Sequence, residues 1–266
     1  MSLSLDHVVL LVDDLKKATA DFRSLGFTVV NGGDHSGGAT HNALVIFEDG
    51  TYLELIAYKR PAPEARWWQA GARSGEGLVD YALLPDNISN VIEEAGRRGL
   101  ALDGPNEGAR QRPDGVRLEW QTSRAATTDV PFLCGDITPR DRRVPEGDVR
   151  RHANGTVAIV AVTVAVTNLT VSAQRYGALL ADTFHPLILA GLGIQYASIR
   201  LGNVVVNLAA PLPGAGAGAA TLRHHLDRRG EGPYALAFAV RAGCKEGPID
   251  RSLTHGAHLE LIANSK

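Results

Sequence analysis

An order of elements recurs along this 266-residue chain: strand, helix, then three strands. Repetition of that kind limits the available folds more than composition does, because each unit needs a neighbour to cover its apolar face. The first unit is the clearest. Leu3 to Val12 is an apolar run broken only by Ser4, Asp6 and His7. Asp13 and Asp14 can cap a helix in which Leu15, Ala18, Phe22 and Leu25 recur at helical spacing, and Gly26 suits a left-handed helix end. Strand character returns at Phe27 to Val30. After the loop carrying Gly32, Gly33, Gly37 and Gly38, Asn42–Glu48 and Thr51–Tyr58 read as two strands joined at Asp49-Gly50.

A second unit follows, with a strand at Leu78–Leu84, a helix at Asp86–Arg98, and strands at Val116–Trp120 and Phe132–Ile137. A third begins at Thr156: strand Val157–Val166, helix Asn168–Leu180 with Val171, Tyr176 and Leu179 inward, and a pair of strands meeting at Gly202-Asn203. The fourth is abbreviated, keeping Tyr234–Val240 and Ala257–Ala263. Letters repeat as well as pattern: Leu53-Glu54-Leu55-Ile56-Ala57 returns as Leu259-Glu260-Leu261-Ile262-Ala263, and Gly75-Glu76-Gly77 returns as Gly230-Glu231-Gly232. The fold expected is α+β, repeated βαβββ modules forming cupped mixed β-sheets with helices outside. Residues 1–140 make an N-terminal domain of two modules, 141–152 a polar linker, and 153–266 a C-terminal domain of one full and one abbreviated module.

Composition removes several classes of function. A net charge of −2, from 27 basic and 29 acidic side chains without a basic stripe, gives no support for nucleic-acid binding. No apolar run approaches a membrane span, and no signal peptide is recognisable. Only Cys134 and Cys244 occur, which excludes a disulfide framework and fits a cytoplasmic protein. The four loop glycines are followed by neither Lys-Ser nor Lys-Thr, so they read as a flexible rim rather than a phosphate loop. The Pro-Gly-Ala run from Pro211 to Ala220 reads as a mobile connector or a lid.

The segments Leu5-Asp6-His7-Val8-Val9-Leu10, Leu25-Gly26-Phe27 and Thr40-His41-Asn42-Ala43-Leu44-Val45, with Tyr52 to Ala57, resemble the glyoxalase-like branch of the vicinal-oxygen-chelate superfamily. The resemblance continues through Arg112–Val116 and Val130–Asp136, and in the second half becomes one of pattern. It implies paired modules enclosing a cup in which a divalent metal is held by the first and last strands of each module. Transferred position by position, it places His7 and Glu54 as ligands in the first module and sets Asp80 opposite His7 in the second. Cys134 falls near the Glu54 position, with Asp136 sharing its strand parity. Ala161, Asn207 and Ala235 occupy the matching C-terminal positions.

Glu54 stands out on physical grounds as well. Tyr52 and Ile56 share its strand face and Leu53, Leu55 and Ala57 take the other, so neither face looks solvated, and a buried carboxylate needs a metal, a cation or donors. Glu54 and His41 are the expected proton-moving groups; His41, Tyr52, Trp120 and Phe132 are expected to touch substrate; His7, Glu54 and Asp80 are the expected metal ligands. His35 reads as a solvated turn residue. Glu260 reads as a relic of duplication held by a structural hydrogen bond, or else as a second site or a ligand donated across the domain interface. The function implied by the resemblance is a metal-dependent lyase, isomerase or dioxygenase acting on a small molecule with adjacent oxygens, the metal being zinc, iron, manganese or nickel. Two alternatives stay open: a metal-free binding or resistance protein, and a metal-free cyclase or isomerase. A homodimer is compatible with either.

Overall fold

The computed structural model describes residues 3–214 and 216–264. The first half runs β1 (Leu3–Leu11), α1 (Leu15–Ser24), β2 (Val30–His35), β3 (Thr40–Ile46), β4 (Tyr52–Tyr58), α2 (Arg66–Ser74), β5 (Gly77–Pro85), α3 (Ile88–Arg97), β6 (Asp103–Gln111), β7 (Arg117–Arg124) and β8 (Phe132–Asp136). A short helix α4 (Arg140–Arg143) and a 3-10 turn (Gly147–Arg150) lead to the second half. That half contains β9 (Thr156–Ala165), α5 (Leu169–Leu180), β10 (Leu187–Leu189), β11 (Ile194–Leu201), β12 (Val204–Pro211), α6 (Ala217–Arg229), β13 (Gly232–Val240), β14 (Gly247–Pro248) and β15 (His258–Ala263). None of the described helices is long and apolar enough to cross a membrane.

The first eight strands close into a barrel in the order β1-β4-β3-β2-β6-β7-β8-β5. Within each module the first and last strands are parallel, β1 with β4 and β5 with β8, and the modules meet antiparallel at β1–β5. The second half repeats this plan with β9 parallel to β12, β13 parallel to β15, and β9 antiparallel to β13. Its sheet stays open at seven strands, because the fourth module supplies only β13, β14 and β15.

Local chemistry accounts for most of the elements. Asp14 is the N-cap of α1, its carboxylate accepting from Lys16 N and Lys17 N, and Asn87 and Asn168 cap α3 and α5 in the same way. Gly26 takes φ +83° after α1, the left-handed turn that favours glycine. Strand β1 is apolar on both faces because both are covered. Val8 and Leu10 belong to a core cluster that continues into β9, α5 and β13, while Val9 and Leu11 face the barrel interior.

The two halves share that core. Phe238 packs against Phe47 and Phe27 with ring centroids 5.3 and 5.9 Å apart. The hydroxyls of Tyr81 and Tyr176 hydrogen-bond across the junction, and Tyr176 also donates to Asp129 O at 2.8 Å. The polar segment between the halves is no solvated tether: Arg143, Val144 and His152 are all buried.

Several elements depart from expectation. Strand β2 lies later than Phe27–Val30 and runs through the first two glycines of the supposed rim. A Cβ on Gly33 would stand 1.9 Å from Gln111 O, and one on Gly32 would stand 2.0 Å from Asn42 Oδ1. Glycine therefore permits the close approach of β2 and β6 that closes the barrel. The sequence pattern marks neither strand β6 nor helices α2 and α6, and Ala217–Ala220, expected as connector, form the first turn of α6. Residue 215 of that run lies outside the described residues. Val171, expected inward on α5, is exposed.

Candidate functional site

The barrel encloses a cavity of about 570 Å³ reached from the side of α2, with Ile56, Trp67, Trp120 and Phe132 among its apolar walls. Its polar end is built by alternation on four strands, β1 and β4 contributing His7 and Glu54, and β2 and β3 contributing His35 and Asn42. Glu54 is 5% exposed. Asn42 Nδ2 donates to its Oε1 at 2.5 Å. His35 Nε2 lies 3.6 Å from the same oxygen, and His7 Nε2 lies 3.5 Å from the other, Oε2.

Behind His7 the contacts continue inward. Its Nδ1 is 2.8 Å from Asp6 Oδ2, and its ring stacks on Tyr52 at 4.6 Å. Burial by itself would raise the Asp6 pKa. The Arg143 guanidinium, the His7 hydrogen bond and Arg140 outweigh it and hold the carboxyl far below the ordinary carboxylate range. Asp6 is therefore an ionised acceptor, and His7 carries its proton on Nδ1. That leaves Nε2 and the Glu54 carboxylate, both acceptors when bare, facing each other. A proton can pass between these two acceptors.

Arg143 organises this end from the segment joining the halves. It is 3% exposed, donates to both Asp6 oxygens at 3.0 Å and to the Tyr52 hydroxyl at 2.8 Å, and pairs with Asp136. Burial, opposed by Arg143, places the Tyr52 phenol well above its ordinary pKa, so it stays protonated. Two further guanidiniums line the cavity without a carboxylate partner among the described residues. Arg110 bonds Asn42 Oδ1 and Arg143 O, and Arg124 lies 5.7 Å from the Phe132 ring centroid. Burial depresses the pKa of both; the neighbouring Arg66 adds to this at Arg124. The same burial, aided by Arg110 and His7, keeps His35 neutral despite Glu54.

The sequence-derived candidates divide accordingly. His7, Tyr52, Glu54, Trp120 and Phe132 come together around the cavity. His41 does not line it: Thr40 and Asn42 turn inward, leaving His41 on the other face of β3 beside Asp34 and Lys59. Asp80 is buried behind the wall, where Arg66 and Trp67 Nε1 both donate to its Oδ2. Asp136 is engaged by Arg140 and Arg143. His35 is not a solvated turn residue but part of the polar end. The glycine pair inside a strand is the sequence signal that would have found it.

These positions do not fit a closed set of metal ligands. Ala82 pairs with Phe132 as Val9 pairs with Glu54, so Phe132 fills the second module's carboxylate position. Burial pushes the adjacent Cys134 thiol up, away from the thiolate that binds metals. His7 and His35 flank different oxygens of Glu54 instead of converging on one point, and no group of three His, Cys, Asp or Glu among the described residues could hold an ion. In the second half, register sets Asn207 and Glu260 at the Glu54 position and Ala161 and Ala235 at the His7 position. Glu260 is exposed there.

A closed barrel of two βαβββ modules, with His7 and Glu54 meeting on parallel first and last strands, defines a vicinal-oxygen-chelate protein. Residues 5–180 match the glyoxalase-like domain, and the chain belongs to that family. Among solved structures, a hypothetical protein from Staphylococcus aureus has a TM-score of 0.74 at 14% identity, covering 98% of this chain and 100% of its own. A mutant of 4-hydroxymandelate synthase from Streptomyces coelicolor has a TM-score of 0.60 at 16% identity, over 91% of this chain and 72% of that one. A fusion of a xylose isomerase-like TIM barrel with 4-hydroxyphenylpyruvate dioxygenase reaches 0.55 at 18% identity, over 90% of this chain and 37% of that one. At such identities the likeness is one of fold. A search of curated proteins finds no significant match.

Proposed function

We propose that the N-terminal cup is the active site of a metal-independent glyoxalase-like enzyme that moves a proton on a small, flat anion bearing adjacent oxygens. The observation that carries this reading is the Asp6–His7–Glu54 arrangement, a buried carboxylate 3.5 Å from one ring nitrogen of a histidine whose other nitrogen is held by an ionised aspartate. Such a carboxylate is placed to act as a general base, because His7 Nε2 beside it can take up the proton it gains. Glu54 takes a proton from carbon next to a carbonyl and passes it to His7 Nε2. The imidazolium so formed is stabilised by Asp6. Reversal of the two transfers returns the proton to a different atom of the same substrate.

Chemistry of the walls supports the substrate class. Trp120, Phe132 and Trp67 offer flat apolar surface, and Arg110 and Arg124, lacking carboxylate partners, favour a carboxylate or enolate oxygen. The same two guanidiniums disfavour a divalent cation in that space, which agrees with the incomplete ligand set.

The test uses 4-hydroxyphenylpyruvate, the acid in the name of one structural neighbour, together with a panel of aromatic 2-oxo acids incubated in deuterium oxide. Expected are deuterium incorporation beside the carbonyl, faster than in buffer alone and insensitive to chelator, and a loss of 100-fold or more, on the order of a general base's contribution, in Glu54→Gln. A stoichiometric metal found by plasma mass spectrometry, with exchange abolished by chelation, would return the site to the metal-dependent scheme.

A further inference from the structure

We infer that the protein has a second binding site, outside the barrel, for a small multiply charged oxyanion of the phosphate type. It is a recess of about 380 Å³ between the halves, walled on one side by the end of α2 and the start of β5 and on the other by α6, β13 and β15. Six basic side chains line it: His224, His225, Arg228, Arg229, Arg251 and His258.

The charges are not matched by the protein. Arg229 donates to the carbonyls of Ser74 and Glu76 at 3.1 and 2.9 Å, Arg251 donates to Gly256 O at 2.9 Å, and neither reaches a carboxylate among the described residues. Arg228 likewise forms no ion pair there. Glu76 also lines the recess, but its Oε1 is occupied by Asp13 N and His255 Nδ1, each at 2.8 Å. Arg228 and Arg229 alone could be explained as cations favoured by the last turn of α6. That account does not reach Arg251 and His258, which arrive from another part of the chain.

Mutual repulsion adds to burial in this recess. Burial, then Arg229, His258, Arg251 and His224, push His225 down to about 4. Burial with Arg228 and Arg251 likewise lowers Arg229. Three arginines converging beside a single acid, Glu76, are relieved by an anion, and several converging cations favour a dianion over a monoanion. Beside the charges, Tyr234 offers a ring shelf, with the His258 ring at 4.6 Å and the His225 ring at 5.0 Å. The volume suits a small phosphorylated molecule and not a macromolecule.

Position gives the site a consequence. Helix α2 begins at the cup, where Arg66 and Trp67 line the cavity, and its C-terminal carbonyls are held by Arg229 in the recess. An anion that draws on Arg229 therefore acts on the helix that walls the cup.

Titration calorimetry with inorganic pyrophosphate on the whole chain tests the assignment. Wild type is expected to bind one equivalent, and Arg228→Gln/Arg251→Gln, both at exposed positions, to bind at least about tenfold more weakly, with unchanged circular dichroism. Arg124→Gln, in the cup, is expected to bind as wild type does. Absence of saturable binding to wild type overturns the inference. So does loss of binding in Arg124→Gln with the double variant unaffected, since the anion would then lie in the cup. Neither result depends on the reaction proposed for Glu54.

Discussion

At the scale of single residues, Asp6 matters as much as Glu54 although it touches no part of the cavity. Its carboxylate is fully buried and held by Arg143, Arg140 and His7. Asp6→Asn leaves the buried Arg143 with Asp136 as its remaining carboxylate, at a cost of about 3 kcal/mol, and removes the acceptor that fixes the His7 tautomer. Because the folded-state pKa is depressed, the stability Asp6 contributes is present above its unfolded pKa of about 3.9 and is lost as pH falls below it. Urea denaturation of wild type and Asp6→Asn should therefore differ at pH 7 and converge as the medium is acidified below about 4. A difference independent of pH would mean that Asp6 is not an ionised acceptor. The sequence exposed Glu54 and His7 because a charge and an imidazole interrupt apolar strands. It misled at His41, since beginning β3 two residues earlier leaves the strand's alternation to decide the face, and Asn42 takes the inward position. Nothing local marked Arg143, whose role depends on the chain returning beneath the barrel from far along the sequence.

At the scale of elements, what was legible is what carries its own periodicity or cap. Helices α1, α3 and α5 have Asp or Asn N-caps with hydrogen bonds to the following turn. Helices α2 and α6 have no side-chain cap, and α6 opens on small residues after Gly216. Strand β6 reads Asp-Gly-Pro-Asn-Glu-Gly-Ala-Arg-Gln and is buried mainly at Ala109 and Arg110, so it lacks the alternating apolar face by which strands are recognised. Strand β2 was hidden for a different reason, its glycines being read as loop. The seam they make predicts a contrast. Gly33→Ala adds a Cβ against Gln111 O at φ +121°, with no side chain able to move aside, and should cost more than about 2 kcal/mol. Gly37→Ala, at φ +82° with open space around it, should cost only about 1 kcal/mol. Equal shifts in the denaturation midpoints would show that β2 and β6 do not pack this closely.

At the scale of the whole molecule, the repeat explains why one half keeps a site and the other does not. Both halves use the same strand pairings, so the C-terminal sheet can still cover β1 and β5 although it has one strand fewer, stays open, and has alanines at both positions matching His7. What it retains is the shared core, and His152 sits in that core between Phe27 and Phe47, with ring centroids 5.6 and 5.2 Å away. Thr28 N donates to His152 Nδ1 at 2.9 Å, and Nε2 lies 3.1 Å from Ile46 O. The ring must therefore be neutral, with its proton on Nε2, and burial lowers its pKa to about 4. The unfolded chain takes up that proton near the ordinary value of about 6.5. Between these two values the unfolded state binds more protons than the folded one, so stability falls as pH drops from about 6.5 to 4, by on the order of 3 kcal/mol. Burial also lowers the pKa of His35 and His225, so the quantity to measure is the difference from His152→Gln. That variant should be less stable at neutral pH, by about 1 to 2 kcal/mol for its disturbed hydrogen bonds. Its disadvantage should shrink steadily below pH 6.5 and vanish or reverse near pH 4. A constant gap between the two denaturation curves over this range would show that the junction does not need a neutral ring at residue 152.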